Sequence, residues 1–202
     1  MSSEDYTTLF TMVQSMSERL DILEEENREL KQLLGKNCNS LKRKAVNMID
    51  TLPIPQISFE KWAENTLSLV GSHLNTVFQE DLLSGINSVI NCSIDQFVDL
   101  PIAVFDRKPN NYYCYENDNW KPLEISVLNH FIGRIAYRFL VEFKTCWYTP
   151  NIKNIQEKDE YKTMYNSYYM NILGGNRLTD ESRNQRVRHS LYLLIKQKFV
   201  EQ

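Results

Sequence analysis

Cys146 and His130 are the only nucleophile and base that the chain places within reach of a common element. They stand sixteen residues apart in one helical pattern. At 1.5 Å per residue that is about 24 Å, too far for a thiol to be activated by an imidazole. Two groups of acids could act as carboxylate sites, Asp95 with Asp99, and Glu157 with Asp159 and Glu160. Both fall where helix starts are expected, positions that favour acids for capping and dipole reasons. Cys38, Cys92, Cys114 and Cys146 show no C-x-x-C spacing, and His73, His130 and His189 never pair at i, i+4. No zinc site or disulfide framework is expected from such spacing. Gly174-Gly175 lacks the Lys-Ser/Thr of a phosphate loop and follows a helical pattern, and G-x-S-x-G, H-E-x-x-H and EF-hand loops are absent. The expectation is no catalytic residue, no cofactor and no metal.

A different chemistry remains, the pairing of helices. Tyr6, Val13, Leu20, Asn27 and Leu34 fall at a positions, with Leu9, Met16, Leu23 and Leu30 at d. The 4-3 alternation is unbroken over four heptads. A sustained 3.5-residue period imposes a left-handed supercoil, and Leu at d with Val at a favours two parallel strands. Asn27 inside the seam satisfies its amide only against another Asn27, which sets register and dimer state. Arg19 faces Glu24 of the second strand and Glu26 faces Lys31, opposite signs in a parallel in-register dimer. The dimerisation residues are therefore Leu9, Val13, Met16, Leu20, Leu23, Asn27, Leu30 and Leu34. The segment LEEENRELKQLL resembles a leucine zipper. In basic-zipper transcription factors the basic region precedes the zipper, whereas here Lys42-Arg43-Lys44 follows it.

Charge is distributed unevenly over the 202 residues, whose net value is −3. Residues 1–34 carry −5, 35–49 carry +4, 50–176 carry −5 and 177–202 carry +3. Two basic islands on a dimer suit phosphate contact, so Lys42, Arg43, Lys44, Arg177, Arg183, Arg186 and Arg188 are candidate nucleic-acid contacts. The acidic balance of the whole chain opposes a dedicated nucleic-acid domain. No apolar run approaches the ~20 residues that span a bilayer, and the start lacks a basic segment followed by an apolar block. Neither a membrane span nor a signal peptide is expected.

The zipper, 1–35, leads into a basic, proline-containing linker, 36–56, and a globular domain, 57–202. A short helical stretch with Leu41, Ala45, Met48 and Ile49 falls in the linker, and Pro53 and Pro55 make an extended boundary. Ser58 caps a helix holding Phe59, Trp62, Leu69 and Val70, which Gly71 breaks. One helical pattern then runs from Leu74 to Ile90, and Ser93 with Gln96 reads as a capping box. Residues 102–106 and 112–116 flank a turn-rich loop and predict a hairpin, with a second turn at Asn117-Asp118-Asn119 returning Trp120 to it, so the β element spans 102–120. Alternation sends Tyr112 and Cys114 to one face and Tyr113 and Tyr115 to the other. Such aromatics stack bases in some proteins, beside Arg107 and Lys108, and more commonly fill a core face.

Ile125, Leu128, Ile132, Ile135, Phe139, Phe143 and Cys146, with Phe131, Leu140 and Trp147 widening the apolar face, mark one central helix that Pro150 closes. Asn154 with Glu157 reads as a capping box opening a tyrosine-rich helix with Tyr161, Tyr165 and Tyr168, stopped by Gly174-Gly175. Thr179 caps a last helix with Val187, Leu191, Leu194, Ile195 and Phe199 inward. The predicted fold is mainly α with a small antiparallel hairpin, an α+β chain behind a parallel dimeric coiled coil.

The run PIAVFDRKPNNYYCYENDNWKPL, the helix LNHFIGRIAYRFL and the tyrosine-rich helix that follows resemble uncharacterised proteins of nucleocytoplasmic large DNA viruses. The resemblance covers roughly residues 100–195. It implies a viral origin and a host-cell setting, cytoplasm, viral factory or virion, and assigns no catalytic residues. The 19 asparagines and four alanines fit an AT-rich genome. The function expected is a homodimeric scaffold that binds a protein partner or assembles further, with nucleic-acid binding as the alternative.

Overall fold

The computed structural model describes residues 51–105, 111–175 and 178–200, with Arg19, Glu26 and Ile49 as isolated positions. The chain divides into two compact units, Met1–Leu52 and Pro53–Gln202. In the first, Arg19, Glu26 and Ile49 are helical, and Arg19 and Glu26 are exposed. The seam residues Leu9, Val13, Met16, Leu20, Leu23, Asn27, Leu30 and Leu34 lie outside the described residues, as do Lys42, Arg43 and Lys44.

The second unit is mainly helical with one three-stranded antiparallel sheet. Its elements are α1 (Phe59–Ser68), a 3₁₀ turn (Val70–His73), α2 (Leu74–Gln79), α3 (Leu82–Asp95), β1 (Ile102–Val104), β2 (Tyr112–Glu116) and β3 (Asn119–Leu123). There follow α4 (Ile125–Glu142), a π-helical segment (Phe143–Tyr148), α5 (Thr149–Glu157), α6 (Asp159–Ile172) and α7 (Asp180–Val200).

The local signals explain several boundaries. Ser58 is extended and its hydroxyl accepts from Lys61 N–H, so α1 starts where a side chain serves an orphan donor. Thr179 does the same for Ser182 N–H ahead of α7. Gly174 and Gly175 end α6 at φ +81° and +70°, a region that costs other residues a Cβ clash.

The strands form a meander in the order β1-β2-β3. Ile102 pairs with Cys114, Val104 with Tyr112, and Tyr115 with Trp120. Asn117 and Asp118 make the tight β2–β3 turn with φ of +52° and +59°. Two positive φ values fit the right-handed twist of the flanking strands, and Asn and Asp tolerate them best after glycine. The predicted hairpin thus extends to Leu123, with Pro122 on the edge strand, where no ladder N–H is required.

Helix α4 is the centre of the core. Leu128, Ile132, Ile135 and Phe139 are fully buried and Phe131 nearly so. Around this stripe pack α1, α3 and α7. Tyr112, Cys114, Ile102 and Leu123 close the core from one sheet face. Burial of each large apolar side chain contributes about 1.5–3 kcal/mol, so this stripe outweighs any surface pair on the helix.

Four expectations are corrected. The pattern from Leu74 to Ile90 is two helices, because Asp81 is extended and its carboxylate accepts from Ser84 N–H, an N-cap inside the periodic run. Ser93 is not a cap. It lies within α3, fully buried, with its hydroxyl 2.6 Å from that of Thr66. Pro150 does not close the central helix, and Asn154 does not open one. The chain stays helical through a π segment to Glu157 and breaks only at Lys158, whose backbone is extended. A proline ring crowds the carbonyl four residues back. The π segment ahead of it widens the helix, and the Thr149 hydroxyl reaches the Lys144 carbonyl five residues away. Trp147, four residues on from Phe143, stacks on it at 5.6 Å, while Cys146 is exposed rather than on the inward face.

The Thr66–Ser93 pair makes a test of the fold. Thr66→Val leaves the Ser93 hydroxyl buried without this partner and is expected to cost about 1–3 kcal/mol. The double variant Thr66→Val/Ser93→Ala removes both polar groups and is expected to recover most of that loss in urea unfolding. A double variant no more stable than the single one contradicts the pairing.

Candidate functional site

The residues first singled out for chemistry are held apart or occupied. Cys146 donates its thiol to Glu142 Oε2 at 3.3 Å, and Glu142 Oε1 receives Arg138 at 2.8 Å. The hydrogen bond to that carboxylate, with minor burial and the Glu142 charge, raises the Cys146 pKa. A raised pKa keeps the thiol protonated, the reverse of an activated nucleophile. Burial likewise raises the pKa of Cys114. His130 sits on α4, toward its amino-terminal end and away from Cys146.

Asp95 and Glu157 end helices rather than start them, and Asp99 lies in a turn. Asp159 opens α6, bonded to Lys162 at 2.7 Å, which lowers its pKa. That is a helix-start arrangement rather than a paired acid–base device. Among the described residues no group of three or more His, Cys, Asp or Glu could hold a metal ion, and no helix is long and apolar enough to cross a membrane.

The aromatic sheet divides as its alternation requires. Tyr112 and Cys114 are buried in the core face. On the other face Tyr115 packs edge-on to Trp120 at 5.6 Å and Phe105 to Tyr113 at 5.1 Å. The Trp120 indole N–H donates to the Pro53 carbonyl at 3.2 Å, tying the chain before α1 to this face. Arg107 and Lys108 lie outside the described residues. On α6, Tyr168 stacks flat on Phe78 at 4.0 Å, and Tyr165 and Tyr169 gather on Phe143. These rings are packing elements.

The arginines of α7 have unequal surroundings. Arg183 bonds Asp180 at 2.6 Å and reaches Asn184. Arg188 donates to Asn129 Oδ1 on α4, and its Nε is buried with no hydrogen-bond partner among the described residues. Only Arg186 of the three is exposed, and Arg177 lies outside the described residues. Lys198 in the same helix donates to the carbonyls of Ile94 and Phe97, where a cation suits a helix carboxyl end. Sequence spacing places Arg183, Arg186 and Arg188 in the first half of the last helix, away from its Val187/Leu191 stripe. It carried no sign of Asn129, 59 residues away.

Tyr112 is the second anchor of α7. Its hydroxyl donates to the Arg188 carbonyl at 2.6 Å, and burial pushes its pKa up to about 12, against a smaller opposing effect of Arg188. A pKa raised above the unfolded value of about 10 means the folded state holds the proton more tightly. The associated stability is intact below about pH 10 and is lost as pH rises through about 12. Tyr112→Phe is expected to flatten that alkaline loss, read as the unfolding midpoint against pH. An unchanged alkaline profile contradicts the anchor.

One concave surface was not anticipated. Phe59 and Trp62 of α1 pack on Phe131 near the start of α4, and Gly71, past the end of α1, approaches Glu142 at the end of α4, so the two helices run in the same direction, with a groove between them. A cavity of about 610 Å³ opens between the Phe59–Ala63 stretch and the Val127–Arg134 stretch, bounded by the sheet edge at Lys121. A second, of about 410 Å³, continues between Glu64–Ser68 and Arg134–Val141. Arg134 borders both. Along the groove Glu60 and Glu64 lie on α1 and His130, Arg134 and Arg138 on α4, with Glu116, Lys121 and Glu124 at the sheet end and Arg138 paired to Glu142. Tyr137 is 69% exposed and Val127 46%. The signal in the sequence is a second 3-4-3-4 stripe, Val127, His130, Arg134, Tyr137 and Val141, on the side of α4 opposite its core stripe.

Against known protein families, curated proteins and solved structures, the chain finds no match.

Proposed function

We propose that the chain is a non-enzymatic scaffold, a homodimer joined by its amino-terminal heptad seam and carrying a protein-binding helical domain. The observation that carries this reading is the unbroken a/d pattern from Tyr6 to Leu34 with Asn27 at the fourth of its five a positions. The domain supports it in a second way. Cys114, Cys146, Asp159 and the sheet aromatics are taken up in packing, capping and hydrogen bonds, while its concave surface lies between two helices, as partner-binding grooves do. The dimer presents each domain surface twice, which amplifies weak contacts.

Sedimentation of the full chain with Asn27→Ile tests the seam. An Asn pair specifies two strands at a cost in stability. The variant is expected to resist dissociation on dilution more than the wild type and to populate higher oligomers. A monomeric wild type at every concentration overturns the reading.

Nucleic-acid binding is the second reading, resting on Lys42, Arg43, Lys44, Arg177 and Arg186. If it holds, affinity for a duplex falls steeply with salt, as counterion release requires. Absence of binding at low salt removes it.

A further inference from the structure

We propose that the α1–α4 groove is a self-association surface that receives a second copy of this chain. This deepens the homodimer reading by naming a second contact between the copies, and it does not depend on the heptad seam.

The argument is charge and height along the groove. Phe131 packs on both Phe59 and Trp62, so with equal rise per residue along two helices running in the same direction Glu60 falls level with the Val127–His130 turn, Glu64 with Arg134, and Leu67 with Tyr137. The Gly71–Glu142 approach, 3.4 Å from the ideal Cβ position to Oε2, continues the same alignment past the end of α1. A two-fold axis parallel to the helices lays α1 of one copy over α4 of the other without reversing direction. Each residue then meets the residue level with it on the opposite wall. Glu64 meets the partner's Arg134, Glu60 meets the partner's His130, and Leu67 meets the partner's Tyr137. The Glu64–Arg134 pair is opposite in sign, the Leu67–Tyr137 pair is apolar on aromatic, and Glu60 faces an imidazole that can donate to it, so the surface is complementary to itself, as an isologous interface must be.

The groups involved are available. Glu60, Glu64, His130, Arg134 and Tyr137 are all exposed. Arg134 makes no hydrogen bond or ion pair with another described residue, and Glu64 has only Lys61 at 3.8 Å. The α4 stripe from Val127 to Val141 is about 21 Å long, four helical turns. Tyr137 at its carboxyl-terminal half is the kind of exposed aromatic that anchors an interface.

The test uses two full-length variants, Glu64→Arg and Arg134→Glu. Alone, the first sets Arg against Arg across both halves of the interface, and the second sets Glu against Glu. Together they restore Glu–Arg pairs at both halves. The two variants are co-expressed and read by native mass spectrometry. Dimers containing one of each are expected to reach about nine-tenths of the total, given exposed pairs of modest strength. A statistical one-half overturns the groove interface and leaves the heptad seam standing. Monomers of each variant alone, with dimers only on mixing, support the groove and sink the seam. Monomers in every sample overturn both.

Discussion

Phe139→Ala is expected to destabilise the carboxyl-terminal domain by about 3–5 kcal/mol, the usual range for a large buried aromatic. Phe139 is fully buried on α4, the helix against which α1, α3 and α7 pack. Its ring lies 3.2 Å from the position a Cβ would take on Gly85. The neighbours are helices fixed by their own ladders, so they collapse poorly into the space left behind. A domain of this size has about 5–15 kcal/mol in total, so the variant would retain at most a thin margin. The urea midpoint should fall sharply with the slope unchanged. A midpoint close to the wild type would mean that α4 is not the centre of the core.

Gly85→Ala is the second large effect, and its sign is the informative part. In a helix interior Ala is favoured over Gly by about 1 kcal/mol. Here a Cβ on Gly85 would stand 2.2 Å from Val77 Cγ2, inside any van der Waals distance. Overpacking of this kind costs about 1–3 kcal/mol and more where backbone must shift. With Val77 fully buried and stiff the cost falls at the upper end of that range, so the crowding wins and the substitution is expected to destabilise by up to about 2 kcal/mol after the propensity gain. Val77→Ala removes the obstructing methyl. The double variant Val77→Ala/Gly85→Ala is therefore expected to be more stable than the sum of the two single losses allows, a coupling of about 1 kcal/mol. Thermal unfolding of the three variants reads it. Strict additivity would contradict the close approach of α2 and α3.

Local chemistry made much of the domain legible. Ser58 and Thr179 serve the N–H groups that cap rules assign to them. The β2–β3 turn follows from Asn117-Asp118, and the Tyr112/Cys114 face from simple alternation. What escaped was settled by distant partners. Ser93 looks like a cap until Thr66, on another helix, supplies a buried hydroxyl beside it. Cys146 fits the apolar stripe as well as Trp147 does, yet past the π segment Trp147 packs on Phe143 while Cys146 is exposed. Asp81 falls inside a periodic run, and periodicity alone does not reveal that one extended residue divides it.

The candidate surfaces followed the same logic. Arg188 reads as a free cation in sequence and is tied to Asn129 in three dimensions. The groove between α1 and α4 went unseen because it needs two helices set side by side. Its α4 wall has a heptad-like stripe of mixed character, Val127 to Val141, that resembles an ordinary solvated face until Glu60 and Glu64 stand opposite it.

Oxidative cross-linking of Asn27→Cys in the full chain tests the homodimeric seam most directly. In a parallel, in-register coiled coil the two copies of an a position face each other across the axis, within reach of a disulfide. Peptide mapping after mild oxidation should find a dimer linked between two copies of position 27. A chain that stays monomeric, or links only through its native cysteines, contradicts the seam.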